Sequence, residues 1–137
     1  MEKAFAQVSI EYLAITVFLL IVSGIIFGFA LYFFNENTAI AQAEDAVTKI
    51  ANHANLVASQ GDGSRVFFEV EIPQNVQSFE VKNKAVHMSI QTSTGLNDVV
   101  AYSKAFLSEQ TLSATGGRKT FSATFSDGNV VVKDDGT

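Results

Sequence analysis

The 137-residue sequence predicts an α+β fold, in which a long hydrophobic N-terminal helix leads into an antiparallel β-sheet head packed on the helix's C-terminal half. Three observations carry this expectation. Residues 12–34 form an uncharged apolar run of 23 residues, and no proline occurs between residues 8 and 60. From Arg65 onward apolar side chains recur at every second position, the period of a half-buried strand. Two turn signals, Asn83-Lys84 and Asp127-Gly128, each separate a pair of alternating segments.

Composition narrows the class before any element is placed. Hydrophobic residues make up 47% of the chain and charged ones 17%, and the apolar excess is concentrated in one block near the start. That distribution belongs to a membrane or polymer protein and argues against a soluble enzyme. The chain has no cysteine, which excludes a disulfide framework and thiolate metal ligation. The net charge is −5, and no cluster of Lys or Arg offers a phosphate-tracking surface, so nucleic acid is not an expected partner.

As a helix rising about 1.5 Å per residue, the run Tyr12–Phe34 is long enough to cross a hydrocarbon core of ~30 Å. It is too long for the apolar region of an ordinary secretory signal, which spans roughly 7–15 residues and ends at a small-residue cleavage site. Lys3 precedes the run, whereas Glu36, Glu44 and Asp45 follow it, which orients the N-terminus toward the cytoplasm and the head outside. Glu11 stands at the edge of the run, where a carboxylate costs up to roughly 2.5–3.5 kcal/mol at mid-bilayer and less near an interface. Either it faces headgroup water, or it pairs with a positive charge brought by another subunit. Gly24 and Gly28, with Ser23 beside them, form a small-xxx-small pattern that lets two helices approach closely, although such patterns also arise from composition alone.

The segment Gln7-Val8-Ser9-Ile10-Glu11-Tyr12-Leu13, preceded by Ala6 and a short hydrophilic leader containing Lys3, resembles the class III signal peptide of archaeal type IV pilin-like proteins. The resemblance covers about 28 residues, with Phe5-Ala6 standing where members often carry a basic residue and glycine. It implies a leader of residues 1–6, cleaved between Ala6 and Gln7 by a dedicated membrane aspartyl peptidase. It also implies a hydrophobic helix, residues 7–34, retained as membrane span and filament core. Glu11 would then be the fifth residue of the mature chain. Such a cut leaves on Gln7 an α-amino group with a reference pKa of about 7.7–8.0. A carboxylate and an ammonium that meet in an apolar assembly relieve each other's desolvation, and an unregistered neighbour leaves both bare at several kcal/mol. Gln7 and Glu11 are thus candidates for setting register between subunits, although the two also lie four residues apart on one helix and can meet locally.

Residues 35–60 read as an amphipathic extension of the helix. Ile40, Ala43, Val47, Ile50, Ala54 and Val57 recur at alternating spacings of three and four, and Gln42, Glu44, Asp45, Lys49 and Asn52 fall on the other side. The stripe either covers the core of the chain's own head or seams against neighbouring helices. His53 reads as a surface or boundary histidine rather than a ligand, because no second His or Cys lies within helical reach. Gly61-Asp62-Gly63-Ser64 is expected to stop the helix near Gln60.

Residues 61–137 form the expected head. Val66, Phe68, Val70 and Ile72 share one strand face, and Pro73 ends the strand. Val76–Lys82 and Ala85–Thr92 are expected to pair about Asn83-Lys84, Val81 opposite Val86 and Phe79 opposite Met88, with Glu80 facing His87 on the outside. Asn97–Tyr102 is a further short strand. Thr120–Phe125 and Asn129–Lys133 should pair about Asp127-Gly128, with Phe125 opposite Val130 and Ala123 opposite Val132. The acidic tail Lys133-Asp134-Asp135-Gly136 offers carboxylates to a divalent cation, but reads first as an exposed, frayed end. The order of these elements also resembles the heads of the same pilin-like family, less specifically than the N-terminus does.

No constellation of an enzyme is present, and no cofactor or metal is expected: the two histidines are far apart, no serine sits in a nucleophile elbow, and Gly116-Gly117 lacks a phosphate-loop context. The function expected is a structural pilin subunit that polymerises through its N-terminal helix into an extracellular type IV-like pilus for surface or cell adhesion. Its partners would be identical subunits, the prepilin peptidase and pilus assembly machinery, and the membrane before assembly. The alternative is a non-polymerised single-span protein, or a minor pilin-like component of a secretion or uptake machine, that displays a binding domain.

Overall fold

A computed structural model describes residues 8–136 with their side chains, within the element order α1 (Glu2–Gln60), β1 (Arg65–Ile72), β2 (Val76–Thr92), β3 (Gly95–Thr111), β4 (Gly117–Ser126) and β5 (Asn129–Gly136). The chain divides into two compact units, Met1–Glu36 and Asn37–Thr137. In the first, every described residue belongs to α1. The second joins the C-terminal part of α1 to the whole sheet.

Within the second unit, the amphipathic stripe of α1 closes over the sheet as its own cover. Ala43, Ala46, Val47, Ile50, Ala54 and Val57 are buried in one cluster that includes Val70, Phe79, Val86, Met88, Phe121 and Val130, and Ala51 is buried as well. Small helix residues let the helix approach the sheet while the larger strand residues fill the space between them. The helix ends where expected. Gly61 adopts a positive φ of 96°, and Ser64 Oγ donates to the Val57 carbonyl at 2.6 Å, satisfying one of the carbonyls that a helix terminus leaves open.

The sheet has five strands in the order β1-β4-β5-β3-β2. The expectation of a purely antiparallel sheet is corrected: β3 and β5 run parallel, meeting at Leu107 and Val130, whereas β1–β4, β4–β5 and β2–β3 are antiparallel. Alternation fixes which side of a strand is buried but says nothing of which strand lies beside it. The β4–β5 hairpin has the expected register, Phe125 opposite Val130 and Ala123 opposite Val132. Asp127 and Gly128 have φ of 53° and 80°, the left-handed pair that a tight hairpin turn demands.

The expected reversal at Asn83-Lys84 is found inside β2. The Gln91 N–H donates to the Asn75 carbonyl at 2.9 Å, although the two residues are 16 apart and a straight strand would separate them by roughly 50 Å. β2 therefore doubles back, and Asn83, with φ of 52°, is its positive-φ residue. Phe79 and Val81 from one half and Val86 and Met88 from the other are all fully buried in the same core. Ser78, Glu80 and Lys82 line one shallow polar depression together with His87, Ser89 and Asp98, which places Glu80 and His87 on a common outer surface.

The short strand expected at Asn97–Tyr102 is corrected to a 17-residue β3, joined to β2 by a turn at Ser93-Thr94. Its first part pairs with the second half of β2 (Tyr102 opposite Ala85), and its last residues pair with the first half (Gln110 opposite Val81). The tail is likewise not frayed. Asp134 pairs with Lys119 at 3.2 Å and Asp135 with Arg65 at 3.4 Å, which fastens β5 through its last described residues.

Candidate functional site

The candidate site is the surface of α1 in the first unit. Between Val8 and Phe34, eighteen large apolar side chains are exposed, from Val17 at 47% to Tyr12 at 69%. They lie on every side of the helix, so no face is left to meet water. Leaving them bare forfeits on the order of 20 kcal/mol at about 1 kcal/mol for each half-buried side chain. That exceeds the whole stability of a typical domain, ~5–15 kcal/mol. The helix is long and apolar enough to cross a membrane.

Its polar groups are few and placed. Thr16 Oγ1 donates to the Tyr12 carbonyl at 2.8 Å, which hides its hydroxyl within the helix. Tyr12 and Tyr32 stand 20 residues apart, about 30 Å along a helix, the thickness of a hydrocarbon core. Tyrosines at this spacing suit the two membrane–water boundaries, where an aromatic ring with one polar end is favoured. Tyr32 also packs edge-on against Phe33, with ring centroids 6.0 Å apart. The sequence reading passed over this tyrosine pair, although its spacing was visible there.

Glu11 is the only residue with a full charge between Val8 and Asn35. It is exposed and forms no ion pair among the described residues. Gly24 and Gly28, with Ile25, Phe29 and Tyr32, line an apolar groove, and a Cβ placed on either glycine would meet nothing within 4 Å. At about 100° per residue, Glu11 lies roughly 120° around the helix from the midpoint of the two glycines. The charge and the groove thus occupy different faces of the helix. Ala6 and Gln7, the expected cleavage pair, and Gln7 as the amine-bearing register residue, lie outside the described residues.

The head carries no comparable constellation. Among the described residues, no group of three or more His, Asp or Glu side chains is placed to hold a metal ion. A polar feature that sequence reasoning missed is a clamp between helix and sheet. Asn55 Oδ1 accepts hydrogen bonds from Ser103 Oγ (2.8 Å), Lys104 N (2.7 Å) and Ala105 N (3.3 Å), which holds β3 against α1 where its pairing with β2 is interrupted.

No protein-family model matches the chain, nor does any curated protein or any solved structure.

Proposed function

We propose that the chain is the subunit of an extracellular type IV pilin-like filament, held in the membrane by its N-terminal helix until it is assembled through that same helix. The observation that carries the reading is an all-round apolar helix surface whose single charge, Glu11, sits at its edge and whose small-residue groove faces elsewhere. A plain anchor requires only the apolar surface. A helix surrounded by copies of itself also needs several distinct contact faces and a device that selects register, and Glu11 and the Gly24–Gly28 groove supply both.

In this reading, removal of residues 1–6 creates an ammonium on Gln7 that a neighbouring Glu11 neutralises. Registered chains bury a compensated pair and misregistered chains bury bare charges. Release from lipid exchanges one apolar environment for another, so assembly is driven by helix-to-helix packing rather than by escape from water. The β head remains on the outside, where it contacts surfaces or other cells.

The test is electron microscopy of material sheared from cells that produce the chain, with antibody against the head. Labelled filaments that vanish when the chain is deleted support the proposal. Chain confined to the membrane fraction, with filaments unchanged by the deletion, favours a single-span display protein instead.

A further inference from the structure

His53 sits at the edge of the contact between α1 and the sheet. Its ring stacks on Phe68 of β1, with centroids 4.2 Å apart and planes 12° from parallel, and Phe68 is followed by Phe121 of β4 at 6.3 Å. Nδ1 is buried and has no hydrogen-bond partner among the described residues. A nitrogen buried without a partner is tolerable as a neutral acceptor. As the N–H of an imidazolium it becomes a buried donor without an acceptor on a charged ring, which is more costly.

The surroundings offer that cation nothing. On its own helix the charged neighbour is Lys49, one turn away and itself paired with Asp45 at 2.7 Å. From β1 it is faced by the ring of Phe68, on which Phe121 of β4 stacks in turn. The inner-face charges of β4 and β5, Lys119 and Asp134, neutralise each other. No carboxylate among the described residues forms an ion pair with His53. Burial, and secondarily the Lys49 ammonium, hold the imidazole below its ordinary pKa.

We propose that His53 is an acid-sensitive latch between the helix and the sheet of the head. Neutral, its ring extends the aromatic stack and keeps α1 closed on the strands. Protonated, it leaves the stack to hydrate Nδ1, and the helix face at Ile50, Ala54 and Val57 loosens from the sheet. In the unfolded chain the imidazole titrates near its reference value of about 6.5. With the folded value depressed, the latch's contribution is complete above about pH 6.5 and is lost as pH falls from there through the folded-state value.

NMR titration of the full chain in detergent micelles reads this directly, through the His53 Cε1–H signal and the Ala54 and Phe68 signals beside it. The expected result is a His53 midpoint below 6.5, with the Ala54 and Phe68 signals following the same curve. A midpoint at or above 6.5, or neighbours that ignore it, overturns the proposal. Thermal melts at pH 7.5 and 5.2 give a second reading. Wild type and His87→Gln should lose several degrees more than His53→Phe, which keeps the stack but cannot be protonated, and an equal loss in all three also overturns it. If His53→Phe does not fold, the wild-type titration decides alone.

Discussion

Replacing Asn55 with leucine should unfasten the helix from the sheet without changing the volume at the site much, and its cost follows from the geometry. One side-chain oxygen receives three donors, of which Ser103 Oγ belongs to a residue only 6% exposed. With an aliphatic side chain in that place, the Ser103 hydroxyl loses its acceptor inside the protein, and a stranded buried donor costs about 1–3 kcal/mol. The Lys104 amide, on an exposed residue, can turn to water and loses about 1 kcal/mol of net bonding. The Ala105 amide keeps a bond to Ser103 Oγ at 3.1 Å and adds little. The sum is about 2–4 kcal/mol, or at 4–8 °C per kcal/mol a fall of roughly 10–30 °C in melting temperature for a unit of this size. Asn55→Asp keeps an acceptor oxygen and should lose less than half as much at pH 7. Urea unfolding of the full chain in mild detergent, followed by circular dichroism, measures all of these. A leucine variant within about 0.5 kcal/mol of wild type, or an aspartate variant as damaged as the leucine one, would refute the reasoning.

Glu11→Gln and Glu11→Ala should each lower filament yield while membrane insertion, leader cleavage and head folding persist, and normal filaments from both would reduce Glu11 to a residue solvated at the headgroups. Gly28→Leu should act similarly by filling the groove, read as chain retained in the membrane fraction at the expense of sheared filaments. Gly116→Ala should destabilise the head by about 1–3 kcal/mol in urea, because the new Cβ would stand 2.8 Å from the Gln74 Cα and the backbone must shift. Gly128→Val should cost about 1–2 kcal/mol, since a β-branched residue must then hold φ near 80°.

Much of the head was legible because local chemistry decided it. Asp127-Gly128 is a turn that admits few conformations, and it carried the β4–β5 register with it as far as Phe121 opposite Asp134, beyond which the pairing shifts. The stripe from Ala43 to Val57 announced a buried helix face, and the Gly61-Asp62-Gly63-Ser64 run announced its end. Long-range choices were not legible. Residues 103–111 extend β3 without a clean two-residue period, because Ser103 turns inward to meet Asn55 and the register with β2 shifts there. The parallel meeting of β3 with β5 is specified only once the whole sheet is assembled. Asn55 itself gave no signal, as a short polar residue beside an apolar stripe looks solvated until its acceptor oxygen is seen under β3. The helix surface was the reverse case: Glu11, Gly24 and Gly28 and their angular separation were visible in sequence, and the structure adds the groove that Ile25, Phe29 and Tyr32 form with the two glycines.

Intact-mass measurement of the chain recovered from sheared, purified filaments tests the central claim most directly. The expected polypeptide begins at Gln7, with the new amino group available to a neighbouring Glu11. Assembled chain that still begins at Met1 would contradict it.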